Sequence, residues 1–424
     1  MIGFLFKGLL RDRSRSLFPV LVVVAGVMLT VFMEAWISGE NHEFIRASAA
    51  FQTGHVKVTT RAYAAKADEM PNDLAIEGLG QLLSELRQEF PQMVWTPRIR
   101  FGGLLDVPDS LGETRTQGPV GGMAVDLLSD SSPELKLLNL EPSIVQGRMP
   151  RAPGELIVSD DLARKLKIGP GDRVTLFGST MYGSMATANF TVAGTIRFGI
   201  TALDRGMIIA DVADIQAALD MDDAAGEVVG FFRNGQYNDR QAQRVTKTFN
   251  GKYAGSDDQF APVMAALPDQ GGLRQVLVLH GFSLGLIITV FLTAMSLVLW
   301  NAGLMGSLRR YGEFGVRLAI GERKAHLYRT LVAESVMVGI IGTALGTAVG
   351  LAVSYWFQVH GLNVASMMKG SSAMYSSVLR PYVTPACWVI GLIPGLGATV
   401  VGAMISGATV FRRQTATLIK ELEL

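Results

Sequence analysis

Four stretches of the chain are long, apolar and almost free of charge. Residues 16–33 hold no charged side chain between Arg15 and Glu34, and residues 276–305 are interrupted only by His280. Residues 335–357 and 385–411 are the other two, the last uncharged from Pro381 onward. A helix needs about 20 mostly apolar residues to cross the hydrocarbon core, so each run predicts a membrane span. The spans are set at 16–37, 276–305, 335–358 and 385–411. The first has the basic flank of a signal peptide in Lys7, Arg11, Arg13 and Arg15. It is longer than a signal core, and Trp36 and Ile37 stand where a small-residue cleavage site belongs, so an uncleaved anchor is expected.

Between the first two spans, residues 38–275 have the pattern of a soluble domain. Residues 55–60 alternate as a strand does, and residues 76–90 place Leu79, Leu82, Leu83 and Leu86 at helical spacing. Residues 94–107 predict one or two strands broken at Gly102 and Gly103. In GRMPRAPGELIVSDDLARKLKIGPGDRVTLF (147–177), residues 155–158 read as a strand, and Ser159 or Asp160 can cap a helix carrying Leu162 and Leu166. A turn at 169–172 leads to a strand at 173–177. Strands at 190–196 and 207–210, a helix at 212–219 and a strand–helix pair within 227–249 follow. The predicted fold class is an α-helical membrane protein with four transmembrane helices plus a large α+β extracytoplasmic domain inserted between the first and second spans.

Composition agrees with this division. The chain of 424 residues is 49% hydrophobic and only 18% charged, and the deficit against the ordinary quarter lies in the four apolar runs. A net charge of +1 gives no electrostatic case for a nucleic-acid partner. The single cysteine, Cys387, lies in the fourth run, so the outer domain has no internal disulfide and no cysteine metal site. Basic residues set the orientation. Arg11, Arg13 and Arg15 precede the first span, and Arg309, Arg310, Arg317, Arg323, Lys324 and Arg329 fall between the second and third. Arg412, Arg413 and Lys420 follow the fourth, whereas the loop at 359–384 carries only Lys369 and Arg380. Both termini (1–15 and 412–424) and the loop at 306–334 are therefore expected in the cytoplasm, with 38–275 outside.

Candidate chemistry is sparse. His42 and His55 are the outer domain's only histidines and are expected to be solvated rather than a metal pair. Asp160–Asp161 and Asp222–Asp223 suit helix starts or loops better than an acid/base couple. No GxxxxGK[ST] loop occurs, so no nucleotide hydrolysis by the chain itself is expected, and no catalytic or metal residue is assigned. Gly342, Gly346 and Gly350 on the third span and Gly391 and Gly395 on the fourth form faces for close helix approach, within the four-helix unit or onto a second subunit. Pro394 should kink the fourth span. No charge lies deep in any span, which argues against an ion or proton path.

The loop SLRRYGEFGVRLAIGERKAHLYRTLVAES (307–335) interleaves apolar Phe314, Val316, Leu318 and Ile320 with charges of both signs, including Glu313 and Glu322. A membrane anchor needs only the basic residues. The acidic and apolar ones suit docking onto a protein surface, and one or two short helices punctuated by Gly315 and Gly321 are expected. Residues 313–321, EFGVRLAIG, resemble the R-E-I-G-I-L-R-A-L-G-A segment of FtsX-like/MacB-type ABC transporter permeases. The order of one span, a large periplasmic domain and three spans resembles that family too. So does the 147–177 segment with FTVAGTIRFGI after it, which is similar to the family's periplasmic core domain.

The resemblance implies a permease in the bacterial inner membrane. Its coupling segment, with Arg310, Glu313, Phe314, Arg317, Gly321, Arg323 and Lys324, would seat in a cytoplasmic ABC ATPase dimer. That ATPase, a separate polypeptide, would carry ATP and magnesium, and this chain would bind no cofactor. A second copy or paralogue of the permease completes the unit, which works by mechanotransmission. The tail FRRQTATLIKELEL departs from the family's proline-containing basic tail, with Thr415 about where the proline belongs. Three functions compete within the family. In the Lol-type branch, which FQTGHVKVTTRAYA (51–64) resembles, lipoproteins are extracted to a periplasmic carrier. MacB-type efflux would use an adaptor, and the FtsX-type regulator transports nothing. Extraction requires a cavity open to membrane lipid, for which Val31, Phe32, Trp36, Phe282 and Leu286 are candidate lining residues.

Overall fold

The computed structural model describes residues 13–129, 132–198, 201–308, 311–363 and 378–412. These fall into two compact units, an α/β unit at Phe44–Val278 and a helical unit from the described residues on either side of it. The chain enters through helix α1 (Arg13–Ser48), which ends in a π-helical turn at Ala49–Thr53.

Among the described residues, the main sheet of the α/β unit has ten strands: β1 (Val56–Thr60), β2 (Met93–Pro108), β3 (Thr114–Val125), β4 (Ile144–Gly147), β5 (Glu155–Ser159), β6 (Arg173–Ser179), β7 (Met185–Ile196), β8 (Met207–Asp211), β9 (Glu227–Phe232) and β10 (Pro262–Ala266). Their order is β10-β1-β9-β2-β3-β8-β5-β7-β4, and β6 pairs with both β2 and β7. Strands β2, β3, β8, β5, β7 and β6 therefore close a ring, which removes their free edges. At the open end, β10 is protected as an edge strand. Pro262 offers no donor, and the Asn250 amide occupies both main-chain groups of Met264 at 2.8 and 2.9 Å. Helices α2 (Leu79–Glu89), α3 (Asp160–Leu166), α4 (Val212–Ala218) and α5 (Asp239–Lys252) supply the other layer. Leu79, Leu82 and Leu86 of α2 are buried at the expected spacing, with Trp95, Ile99, Phe101 and Leu105 of β2 in the same core.

Two expectations are corrected here. Strand β2 runs unbroken through Gly102 and Gly103, and a Cβ at Gly103 would lie 2.5 Å from the Phe177 carbonyl oxygen. That glycine marks a close strand approach and not a chain break. His55 is not solvated. It is 4% exposed, its Nδ1 accepts the Phe232 amide at 3.0 Å, and it packs on the rings of Phe231, Phe232 and Tyr237.

The helical unit continues with α6 (Leu273–Leu308), α7 (Tyr311–Ala319), α8 (Lys324–His360) and α9 (Thr399–Arg412). Among the described residues, four helical stretches are long and apolar enough to cross a membrane: Leu17–Thr53, Leu273–Asn301, Lys324–His360 and Pro385–Ala408. The fourth is irregular over more than the single kink expected. A 3-10 turn at Pro385–Trp388 gives way to a π-helical segment at Ile393–Ala398 before α9 begins. Pro394 removes one donor and crowds the preceding carbonyls, which widens the ladder.

The glycine faces are used inside this unit. A Cβ at Gly342 would lie 2.6 Å from Val23 Cγ1, one at Gly346 2.8 Å from Val27 Cβ, and one at Gly350 2.9 Å from Val31 Cβ. The third span thus lies directly against the Val23, Val27, Val31 row of the first. Gly391 meets the same row from the fourth span, at 2.7 Å from Val27 Cγ1.

Candidate functional site

The expected coupling segment folds as an elbow between α7 and α8. The Gly321 amide donates to Leu318 O and the Glu322 amide to Arg317 O, both at 3.1 Å, and Gly321 takes φ +101°. This is the glycine-terminated helix stop, in which a left-handed residue lets the chain turn back on its last carbonyls. Arg323 then starts α8, accepting from His326 at 2.9 Å and Leu327 at 3.2 Å. Val316 and Ile320, four residues apart, are 49% and 81% exposed, and Arg317, Gly321 and Arg323 are exposed beside them. Lys324 is half-buried. Glu313 and Phe314 belong to α7, but their side chains, like Arg310 entirely, lie outside the described residues, as do Arg413, Thr415 and Lys420 of the tail.

The candidate lipid- or cargo-facing residues separate into three environments. Val31 is fully buried against Gly350, which takes it off any open surface. Phe32 and Trp36 are half-buried and meet ring to ring at 6.0 Å, with Phe357 of the third span 5.8 Å from Phe32. Phe282 and Leu286 are 69% and 55% exposed. Most of the second span is open in this way. Only 6% of its apolar window is buried, against 39%, 28% and 39% for the other three. Its described close approaches are at Leu299, Trp300 and Gly303, toward Gly26, Gly402 and Thr399.

In the α/β unit, polar side chains cluster where the pattern of the sequence gave no sign of them. Arg98 and Glu134 are both fully buried and form a two-pronged pair, Nε to Oε1 at 2.9 Å and Nη2 to Oε2 at 2.7 Å. Glu227 takes Lys57 at 2.9 Å and Arg100 at 3.4 Å. Burial pushes the Glu227 carboxyl up, but Lys57, Arg100 and Arg98 together hold it below the usual carboxylate range. Burial alone lowers the His55 imidazole to about 4. The partners in each ion pair are 36 or more residues apart in sequence, so no local motif could have found them.

Residues 285–415 match the family described as FtsX-like permease C-terminal. The chain carries an FtsX-like permease domain. The elbow between α7 and α8 and three of the four apolar stretches lie in or overlap that match. Among curated relatives, the lipoprotein-releasing system transmembrane protein LolC of Xylella fastidiosa is 23% identical over 236 residues, 54% of this chain and 53% of its own. The probable export ATP-binding/permease protein MacB of Pseudomonas entomophila is 23% identical over 223 residues, 49% of this chain and 32% of its own. The matches thus span about half, or less, of these relatives' length. The crystal structure of the periplasmic region of MacB from Actinobacillus actinomycetemcomitans covers 53% of this chain and 93% of its own at 10% identity, with a TM-score of 0.33, too low to decide anything.

Proposed function

We propose that this chain is the permease subunit of an ABC transporter that extracts lipoproteins, or another lipid-anchored cargo, from the inner membrane to a periplasmic carrier. Both termini face the cytoplasm, where the elbow at 311–324 seats in a separate ATPase dimer. A second copy or paralogue of the permease completes the unit, and ATP-driven closure of the ATPase is relayed mechanically to the outer domain. The observation that supports extraction is the LolC match, which runs over more than half of the chain. The open face of the second span at Phe282 and Leu286 offers apolar surface of the kind a lipid anchor needs. MacB-type efflux is the second reading, favoured by the MacB match at the same identity.

The deciding experiment places the complex in proteoliposomes carrying a triacylated lipoprotein and supplies ATP and a soluble carrier. Release that disappears with a hydrolysis-dead ATPase supports extraction. Hydrolysis without release, with the cognate carrier present, turns the reading to efflux. For the elbow, Glu313→Arg and Gly321→Trp are expected to leave membrane insertion intact and abolish co-purification of the ATPase. Undiminished co-purification with either variant rules out the docking site.

A further inference from the structure

The last four carbonyls of a helix have no partner within it and must find one elsewhere. At the end of α1 they find side chains. Arg98 Nη1 donates to Ala50 O at 2.6 Å, Arg100 Nη2 to Phe51 O at 2.9 Å and to Gln52 O at 3.1 Å, and Gln270 Nε2 to Thr53 O at 3.2 Å. Both arginines come from one strand, β2, two residues apart and so on one face of it. A buried carboxylate lies behind each: Glu134 holds Arg98 by two hydrogen bonds, and Glu227 faces Arg100 as a charge partner at 3.4 Å. Gln270 lies just ahead of α6 and also donates to Ala265 O of β10 at 3.1 Å. Beside this polar set, Ala49 at the end of α1 and Leu273 at the start of α6 share one apolar cluster with Val229 and Phe231 of β9.

We infer that Arg98 and Arg100, backed by Glu134 and Glu227, are positioning residues that clamp the end of α1 to the sheet, so that the helix end and the outer domain move as one body. The clamp itself rests on the geometry above. Its consequence for transport rests on the permease reading. Stability is a poor reason for the arrangement, because replacing a buried ion pair by apolar groups of similar volume is often neutral or stabilising. What an apolar pair cannot do is hold the Ala50 carbonyl in a fixed register with β2. Lysine cannot replace Arg98 either, since one ammonium lacks the planar fork that serves a carboxylate and a carbonyl together.

The test uses the full chain in lipid nanodiscs, alone and with its ATPase, comparing wild type, R98K and the double variant R98M/E134L. By hydrogen exchange, amides within 49–56 are expected to lose about ten-fold protection in the double variant, while those of β5 and β8 keep theirs. R98K should fall between the two. Thermal melting of the outer domain should stay near wild type in the double variant. With the ATPase bound, that variant should keep nucleotide hydrolysis and lose ATP-driven cargo release. Unchanged protection at 49–56, or release undiminished beside wild-type hydrolysis, overturns the clamp. If wild type itself releases nothing, the extraction reading fails, and the exchange data still decide the clamp.

Discussion

The two units of this chain both use bare glycines at close approaches, but they differ in what else their packing relies on. In the helical unit side chains are left out: Gly342, Gly346 and Gly350 present bare backbone to Val23, Val27 and Val31. In the α/β unit charges are put in: Arg98, Glu134 and Glu227 are buried completely or nearly so, and each is held by partners. The surrounding solvent explains the difference. Lipid is as apolar as a helix surface, so no hydrophobic force draws helices together and contact must come from shape. Water drives the sheet's apolar faces together at roughly 25 cal/mol per Å² and leaves surplus from which a few buried ion pairs can be sustained. Steric fit should therefore dominate substitutions in one unit and charge balance in the other.

The largest effect tests the charged side of this contrast. Arg98→Met alone leaves Glu134 buried without its partner, and should destabilise the outer domain by about 3–5 kcal/mol. The loss should be read from chemical denaturation of the full chain in detergent. A single substitution as mild as R98M/E134L would mean that Glu134 finds water or another donor. The steric side follows. A leucine at Gly346 would put Cβ 2.8 Å from both Val24 O and Val27 Cβ, backbone and branch point, neither of which can rotate away. Gly346→Leu should cost about 3 kcal/mol and part the first and third spans. Disulfide trapping between cysteines placed along those spans reads this directly, and full trapping in the variant would show the glycine row to be dispensable.

The helical unit was the more legible of the two in the sequence. Spans are announced by length and apolarity, and the glycine spacing at 342, 346 and 350 pointed to close approach, although not to which helix would fill it. In the outer domain, 55–60, 76–90 and most of 147–177 were read correctly because alternation and helical spacing are local. Strand β3 was missed because TRTQGPVGGMAV (114–125) holds three glycines and a proline and reads as loop. One of them, Gly122, is bare because the Phe101 ring occupies the place of its side chain. His55 was expected to be solvated and nothing in the local pattern singled out Arg98, and only the pairing of distant strands shows where they go.

His55 sharpens the comparison through pH. Its folded pKa of about 4 lies below the ordinary 6.5, so between those values the folded domain binds fewer protons than the unfolded chain. Its neutral form therefore contributes fully above about pH 6.5, and stability falls as pH drops toward 4, by on the order of 2–3 kcal/mol. Glu227, held below 4.5, adds its own loss only in more acid solution, as pH falls through its folded pKa. His55→Asn should flatten the upper part of the profile, as measured by denaturation at a series of pH values. An unchanged slope between pH 6.5 and 4 would assign the loss to other groups.

The smallest effect is expected at the elbow, where neither means of packing operates. Nothing lies within 4 Å of a Cβ built on Gly321, so steric fit is not at stake, and what remains is the backbone strain of φ +101° for a residue with a side chain. Gly321→Ala should cost only about 1 kcal/mol, confined to the turn between α7 and α8. Hydrogen exchange at the Gly321 and Glu322 amides, which close the turn onto Leu318 and Arg317, reports that loss locally. The helical unit should otherwise be unaffected, in contrast to Gly346→Leu. A global loss from Gly321→Ala would mean that the turn sets how α7 and α8 stand against the spans. The elbow would then be part of the bundle's own packing, whatever the outcome for the docking role proposed for it.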